Sequence, residues 1–233
     1  MSATGAGSTY GPLDFARDSE VTRETLSLVS TYVDFLRDWN QRVNLVAEST
    51  LADVWRRHIW DSAQLAPLIP PGTKTIVDLG SGAGFPGLVL AIILSKPPPP
   101  PLRAAEVEGV IPRVHLIESI QKKCRFLEAV IAATGTPAVV HNARAEDVKS
   151  LKADVVTARA VAPLDRLFPL AHPFFGPKTT GLFLKGRSLN DELTAATKSW
   201  HLDATPIPSR SDPSGFVLRV TGLTPWRKAQ KPS

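Results

Sequence analysis

Apolar residues recur at intervals of three and four from Val21 to Asn40, with Leu26, Val29, Tyr32, Val33, Leu36 and Trp39 on one stripe. That period predicts an amphipathic helix. Leu51 to Ile69 repeats it until Pro70 and Pro71 stop it. These segments read as a helical cap over 21–70, after a flexible N-terminus over 1–20. Past Gly72 the period changes. Thr75 to Leu79 is a β-branched run that leads into a glycine loop and a helical stretch from Pro86 to Ser95. Four further strand candidates follow: Val114 to Glu118, Ala138 to Asn142, Asp154 to Arg159 and Gly181 to Lys185. Helical patterns at Ile120 to Thr134, Leu164 to Phe175 and Leu189 to Trp200 lie between and after them. Strand and helix in alternation predict an α/β fold: a doubly wound, mostly parallel sheet over 71–223 with helices on both faces. Asp203 to Leu223 reads as a closing hairpin with its turn at Asp212 to Gly215. Pro97 to Pro101 makes 96–112 an exposed insertion.

Composition narrows the function classes. The longest strongly apolar stretch, Leu88 to Leu94, is far shorter than the roughly 20 residues that span a bilayer, so no membrane role is expected. Met1 to Ser8 has no basic start and no apolar run, which predicts a cytoplasmic protein without a secretory signal. Cys124 is the only cysteine, and the five histidines lack helical metal-pair spacing, so no disulfide and no structural metal are expected. A formal charge of +5 suits an anionic partner. The basic end, Arg227, Lys228 and Lys231 within 224–233, reads as a flexible tail that contacts phosphate or is simply solvated.

The segment VDLGSGAGFPG places Asp78 near a strand end, then Gly80, Gly82 and Gly84 at alternate positions. Glycine lets the backbone turn tightly and lets a ligand lie against it. A dinucleotide loop has G-x-G-x-x-G and sets a pyrophosphate on a helix N-terminus. Here the spacing is G-x-G-x-G, and Asp78 would repel a pyrophosphate but suits the zwitterionic, sulfonium-bearing methionine end of S-adenosylmethionine. Glu118, closing the second strand in HLIES, stands where an acid accepts the hydroxyls of an adenosine ribose. A purely structural glycine turn and a nicotinamide dehydrogenase share parts of this pattern.

Seven blocks in order make the chain resemble the small-subunit ribosomal RNA guanine-N7 methyltransferases, also called glucose-inhibited division protein B. They are WNQRVNLV, RRHIWDS, DLGSGAGFPGLVLA, LIESIQKKCRFL, NARAEDV, TARAVAPL and LKG, spread between Tyr32 and Arg187. The resemblance implies a Rossmann-like class I S-adenosylmethionine-dependent fold and methyl transfer to N7 of a guanine in 16S ribosomal RNA, guanosine 527 in the family. It puts cofactor contacts on Gly80, Phe85, Ala145, Glu146 and Arg159. Three departures stand out: Ala158 where the family usually has serine, Glu118 for the usual aspartate, and the proline insertion.

Arg144, Arg159 and Lys185 each follow a predicted strand and are expected to converge beside the cofactor on RNA. For Arg159 the plain alternative is a salt bridge to a carboxylate such as Glu146. His58 and Asp61, with Arg57 and Ser62, resemble a catalytic cluster, but residues three apart share a helix face. A His58–Asp61 hydrogen bond that holds the cap is expected. Cys124, in a helix beside Phe126 and Leu127, reads as a buried structural thiol. Guanine N7 has a lone pair and no proton, so no residue is expected to act as a general base. Partners are then 16S ribosomal RNA or the small ribosomal subunit, with no DNA. A methyltransferase for another RNA or a small molecule, and a non-catalytic RNA-binding assembly factor, are the rival readings.

Overall fold

The five apolar runs fold as parallel strands; the central Thr75–Leu79, Val155–Arg159 and Thr180–Lys185 are buried on both faces, the edge strand Ala138–Asn142 is only half-buried, and helices cover such a sheet on either side. The computed structural model describes residues 10–96 and 110–226. Met1 to Ser8, the Pro97 to Pro101 run, and Arg227, Lys228 and Lys231 therefore lie outside the described residues. The strands are β1 (Thr75–Leu79), β2 (Arg113–Glu118), β3 (Ala138–Asn142), β4 (Val155–Arg159) and β5 (Thr180–Lys185). β6 (Trp200–Pro208) and β7 (Phe216–Pro225) form the closing hairpin, and the sheet order is β3-β2-β1-β4-β5-β7-β6. β7 runs antiparallel between β5 and β6. The order reverses between β1 and β4, the place where open α/β sheets leave a crevice at their carboxyl ends.

Alternation along the strands splits the core. Ile76, Val114, Leu116, Val155 and Leu182 cluster with α5 (Gly87–Ser95), α6 (Gln121–Thr134) and the cap helix α2 (Arg23–Asn40). Val77, Leu79, Ile117, Val156 and Phe183 cluster with α7 (Leu164–Ala171) and α8 (Leu189–Ala196) on the other face. α5 is buried from Gly87 to Ile93, lying between the sheet and the cap, which explains why it is apolar on every side. No helix among the described residues is long and apolar enough to cross a membrane.

Three expectations need correction. The N-terminus is not free up to residue 20: Pro12–Ser19 is a helix, α1, anchored by Phe15, which is 0% exposed and packs on Trp55 at 5.6 Å. Nor is Leu51 to Ile69 one amphipathic helix. It is broken into α3 (Glu48–Leu51), a π-helical turn Trp55–Trp60, α4 (Asp61–Ala63) and a 3-10 turn Ala66–Leu68. Val54, Trp55, His58, Ile59, Trp60, Ser62, Ala63, Gln64 and Leu65 are buried while Arg56 and Arg57 are exposed, so this segment buries more than the one stripe of an amphipathic helix. The predicted helix from Leu189 ends at Ala196, because Trp200 already belongs to β6.

Candidate active site

β1 delivers the glycine loop to the switch point. Gly80, Gly82 and Gly84 all have positive φ, at 61°, 56° and 96°. Their reasons differ. A Cβ on Gly80 would lie 2.8 Å from Val161 Cγ2, and one on Gly84 would lie 2.8 Å from both Leu88 Cβ and the Tyr32 hydroxyl. A Cβ on Gly82 would meet nothing nearer than the Gly80 carbonyl at 3.8 Å. Gly80 and Gly84 are thus required by the protein's own packing, whereas Gly82 keeps an open flank.

The loop is held from two directions. Glu118 at the end of β2 accepts the Gly82 amide on Oε2 at 2.9 Å and the Ile120 amide on Oε1 at 2.7 Å. From the cap, the buried Tyr32 hydroxyl donates to the Ala83 carbonyl. In the sequence Tyr32 is only one apolar position of a helix stripe. Asp78 is fully buried; its Oδ1 accepts the Thr157 hydroxyl at 2.7 Å, and its Oδ2 has no hydrogen-bond partner. Burial pushes its pKa up to about 6, against the opposing pull of the Thr157 hydroxyl and the weaker pulls of the Ser81 hydroxyl, the Gly87 amide and the Arg159 charge.

Phe85 ends the loop with a side chain only 4% exposed. The His58 ring stacks on it at 4.9 Å and the Arg159 guanidinium lies 4.8 Å from its centroid. Arg159, at the end of β4, donates from NH1 to the Arg57 carbonyl at 3.0 Å and to Asp61 Oδ2 at 3.3 Å, and from NH2 to His58 Nδ1 at 2.9 Å. The partner carboxylate is therefore Asp61 and not Glu146. The expected His58–Asp61 hydrogen bond is absent as well: Arg159 stands between them. His58 Nε2 meets Thr50 Oγ1 at 2.8 Å instead, and Asp61 Oδ1 accepts the Ser211 hydroxyl at 2.6 Å and the Gln64 amide at 3.0 Å. Ser62 is turned away, with its hydroxyl on the His58 carbonyl at 2.6 Å.

An arginine only donates, so His58 Nδ1 must accept and Nε2 carries the proton. Burial lowers the His58 pKa to about 3, helped by the neighbouring Arg159 and Arg57 charges. His58 is neutral at physiological pH with its one lone pair already occupied. Cys124 is buried with its thiol toward the Glu118 carbonyl, and burial raises it to about 11, as fits a structural thiol.

The three expected RNA cations do not converge. Arg159 and Lys185 line one cleft of about 550 Å³ at the ends of β4 and β5. Arg144 is exposed after β3, two strands beyond β1 on the other side, next to the short turn Ala145–Asp147 that holds Ala145 and Glu146. Nor is Lys185 free: its ammonium donates to the Ala162 carbonyl at 2.7 Å and to Glu192 at 2.8 Å, with the side chain 9% exposed. The far wall of the cleft is the β6–β7 connection, contributing Ser209, Asp212 and Gly215. It is stitched to the cap: Arg56 Nε donates to the Ser211 carbonyl at 3.0 Å, Trp60 Nε1 to the Arg210 carbonyl at 3.2 Å, and the Arg210 amide to Gln64 at 2.8 Å. No sequence signal links residues about 150 positions apart, so nothing in the sequence singles out Gln64, Ser209 or Ser211. Among the described residues no group of three or more side chains could hold a metal ion.

With this geometry in hand, comparisons with known proteins place the chain. In fold it is similar to a TehB-like S-adenosylmethionine-dependent methyltransferase from Corynebacterium glutamicum, at TM-score 0.53 and 13% identity over 82% of this chain and 98% of that one. MtNAS in complex with S-adenosylmethionine is similar at TM-score 0.52 and 16% identity, over 92% and 85% of the two chains. In sequence the chain is 49% identical over 211 residues to the ribosomal RNA small subunit methyltransferase G of Parvibaculum lavamentivorans, covering 90% of this chain and 88% of the relative. It is 50% identical to the protein of the same name from Rhodospirillum centenum, with 91% of each chain covered. The sequence model of the family described as rRNA small subunit methyltransferase G matches residues 25–210, and the chain belongs to that family.

Proposed function

We propose that this chain transfers the methyl group of S-adenosylmethionine to N7 of a guanine in 16S ribosomal RNA, guanosine 527 in the family, as a cytoplasmic enzyme acting on the small subunit or its RNA. The observation that carries the reading is the pairing of two half-sites across the switch point. One holds the open flank of Gly82, whose amide Glu118 accepts, in the loop that leaves β1 after the unpartnered Asp78 Oδ2. The other is the cleft of Arg159 and Lys185. In this reading 21–70 is the cap and 71–223 the catalytic domain.

The first half-site suits the cofactor. A buried carboxylate oxygen without a donor costs free energy unless a ligand supplies one, and the methionine ammonium would do so at Asp78. Each Glu118 oxygen accepts one amide and keeps a second lone pair for a ribose hydroxyl. Ala145 and Glu146, at the end of the neighbouring strand pair, would flank the adenosine. The bound cofactor supplies an electrophilic methyl group. What the protein adds is position, because guanine N7 attacks with a lone pair and needs no base. Neutral His58, its lone pair held by Arg159, fits a residue that orients the arginine and not one that removes a proton. Lys185, held by Glu192, braces the cleft floor.

Calorimetry with S-adenosylmethionine and with NAD tests the first half: binding of NAD alone would end the reading. Mass mapping of small-subunit RNA from a strain lacking the protein, before and after treatment with enzyme and cofactor, tests the second. A new 7-methylguanine in the treated RNA is expected. Methylation at another ring position, or only of free nucleosides, would refute the acceptor.

A further inference from the structure

Arg159 and Lys185 are neutralised inside the cleft by Asp61 and Glu192. Its rim carries charge that is not. Arg57 is exposed on the π-helical turn of the cap, and Arg187 is exposed in the loop after β5. Among the described residues neither side chain has a hydrogen-bond or ion-pair partner. Both are tied to the cleft through the backbone, since the Arg57 carbonyl receives Arg159 and Gly186 is part of the lining. Both also reach the rim carboxylate Asp212 electrostatically: the Ser214 amide and hydroxyl hold its pKa down first, and Arg57 and Arg187 add to this. Asp212 is committed to its own turn, with Oδ1 on the Ser214 amide and hydroxyl at 2.8 and 2.9 Å. Counting Arg57, Arg159, Lys185 and Arg187 against Asp61, Glu192 and Asp212, the cleft and its rim keep a positive excess.

A solvated guanidinium with its donor fork free is the side chain best matched to a phosphate oxygen pair. Building on the proposed acceptor, we infer that Arg57 and Arg187 form a phosphate clamp, one jaw on the cap and one on the loop after β5, that holds the RNA strand on either side of the target nucleotide. The clamp replaces Lys185 as the source of backbone affinity. It also makes the cap part of the RNA site, because Arg57 follows Arg56, which bonds the β6–β7 connection. A small-molecule acceptor has no successive phosphodiesters to engage two jaws, so the clamp selects polymeric RNA.

The test uses the full chain with Arg57→Ala and Arg187→Ala combined, beside Arg125→Ala, an exposed cation of α6, as control. Equilibrium binding to unmethylated 16S ribosomal RNA is measured from low to moderate salt, and methyl transfer is measured on the same RNA. Each lost contact should flatten the slope of log affinity against log salt by about 0.7 to 0.9, so by about 1.5 for the pair. At physiological salt KM for RNA should rise about tenfold while kcat stays within about twofold, and S-adenosylmethionine affinity and the melting temperature should not change. The Arg125 variant should match the wild type in every readout. An unaltered slope in the double variant overturns the clamp even if the wild type methylates the RNA efficiently. Equal losses of cofactor affinity and kcat would overturn it too, by showing that the pair acts on the catalytic centre. Failure of the wild type to methylate, with the salt slope still changed, would reject the proposed reaction and leave the clamp standing.

Discussion

Asp78→Asn should stabilise the protein without its cofactor while weakening its hold on that cofactor. Asp78 is fully buried with one oxygen unpartnered, and burial raises its pKa from the ordinary 3.8 to about 6. A raised carboxyl pKa means that the folded state binds more protons than the unfolded state between those two values. Stability therefore falls as pH rises through that window and is flat above it. At about 1.4 kcal/mol per pH unit, ionising Asp78 in place costs about 3 kcal/mol at pH 8. An amide carries no charge and still offers Oδ1 to the Thr157 hydroxyl, but its N–H groups gain no evident acceptor, which returns roughly 1 to 2 kcal/mol. The expected net gain at pH 8 is about 1 to 2 kcal/mol, vanishing or reversing near pH 4, where Asp78 is protonated. Urea unfolding of both proteins at pH 4, 6 and 8 measures it, and the difference between them isolates Asp78 from every other titrating group. Calorimetry at pH 8 should show S-adenosylmethionine binding weakened at least tenfold. A pH-independent difference, or a variant less stable at pH 8 than at pH 4 relative to wild type, would refute the account of Asp78 as a buried carboxylate whose charge is uncompensated without a ligand.

The glycines separate in the same assays: Gly82→Val should abolish cofactor binding in a protein that still folds, losing about 1 to 2 kcal/mol because a β-branched residue is strained at φ 56°, whereas Gly84→Ala, with a Cβ 2.8 Å from Leu88 and Tyr32, should lose about 2 to 3 kcal/mol of stability. Cofactor binding by a well-folded Gly82→Val protein would remove the loop's open flank from the site. Tyr32→Phe leaves the buried Ala83 carbonyl without its donor and should cost about 1 to 3 kcal/mol, read by urea unfolding. For His58 the folded pKa of about 3 lies below the ordinary 6.5, so its contribution is present above pH 6.5 and is lost as pH falls toward 3, up to about 5 kcal/mol. His58→Phe, which can keep the ring stack on Phe85, should flatten that acid limb. The single-turnover rate should show no essential base between about pH 6 and 9, and His58→Ala should lose tenfold or less; a loss of a thousandfold with a titration near 6.5 would overturn the base-free reaction.

The sequence alone determined the strands from Thr75 to Lys185, the helices between them, the glycine loop and the acid at Glu118. Each is written in local terms: a short β-branched or apolar run, a period of three to four, or a residue type at a strand end. The family was legible for the same reason, since its motifs are short contiguous blocks such as DLGSGAGFPG. What only the tertiary structure decided is how distant pieces meet. Gly80, Gly82 and Gly84 look alike in the chain, yet Val161 and Tyr32 make two of them packing requirements and leave the third open. Arg159 has Asp61 and His58 as partners, 98 and 101 positions away, while Glu146, nearer in the chain, is not among them. In the cap the helical period of Leu51 to Ile69 gives way to a π-helical turn running into α4, packed on α1 and α5 and bonded to the β6–β7 connection. A side-chain hydrogen bond across 100 to 150 residues leaves no periodicity behind, for its geometry depends on chain crossings that local propensity does not encode.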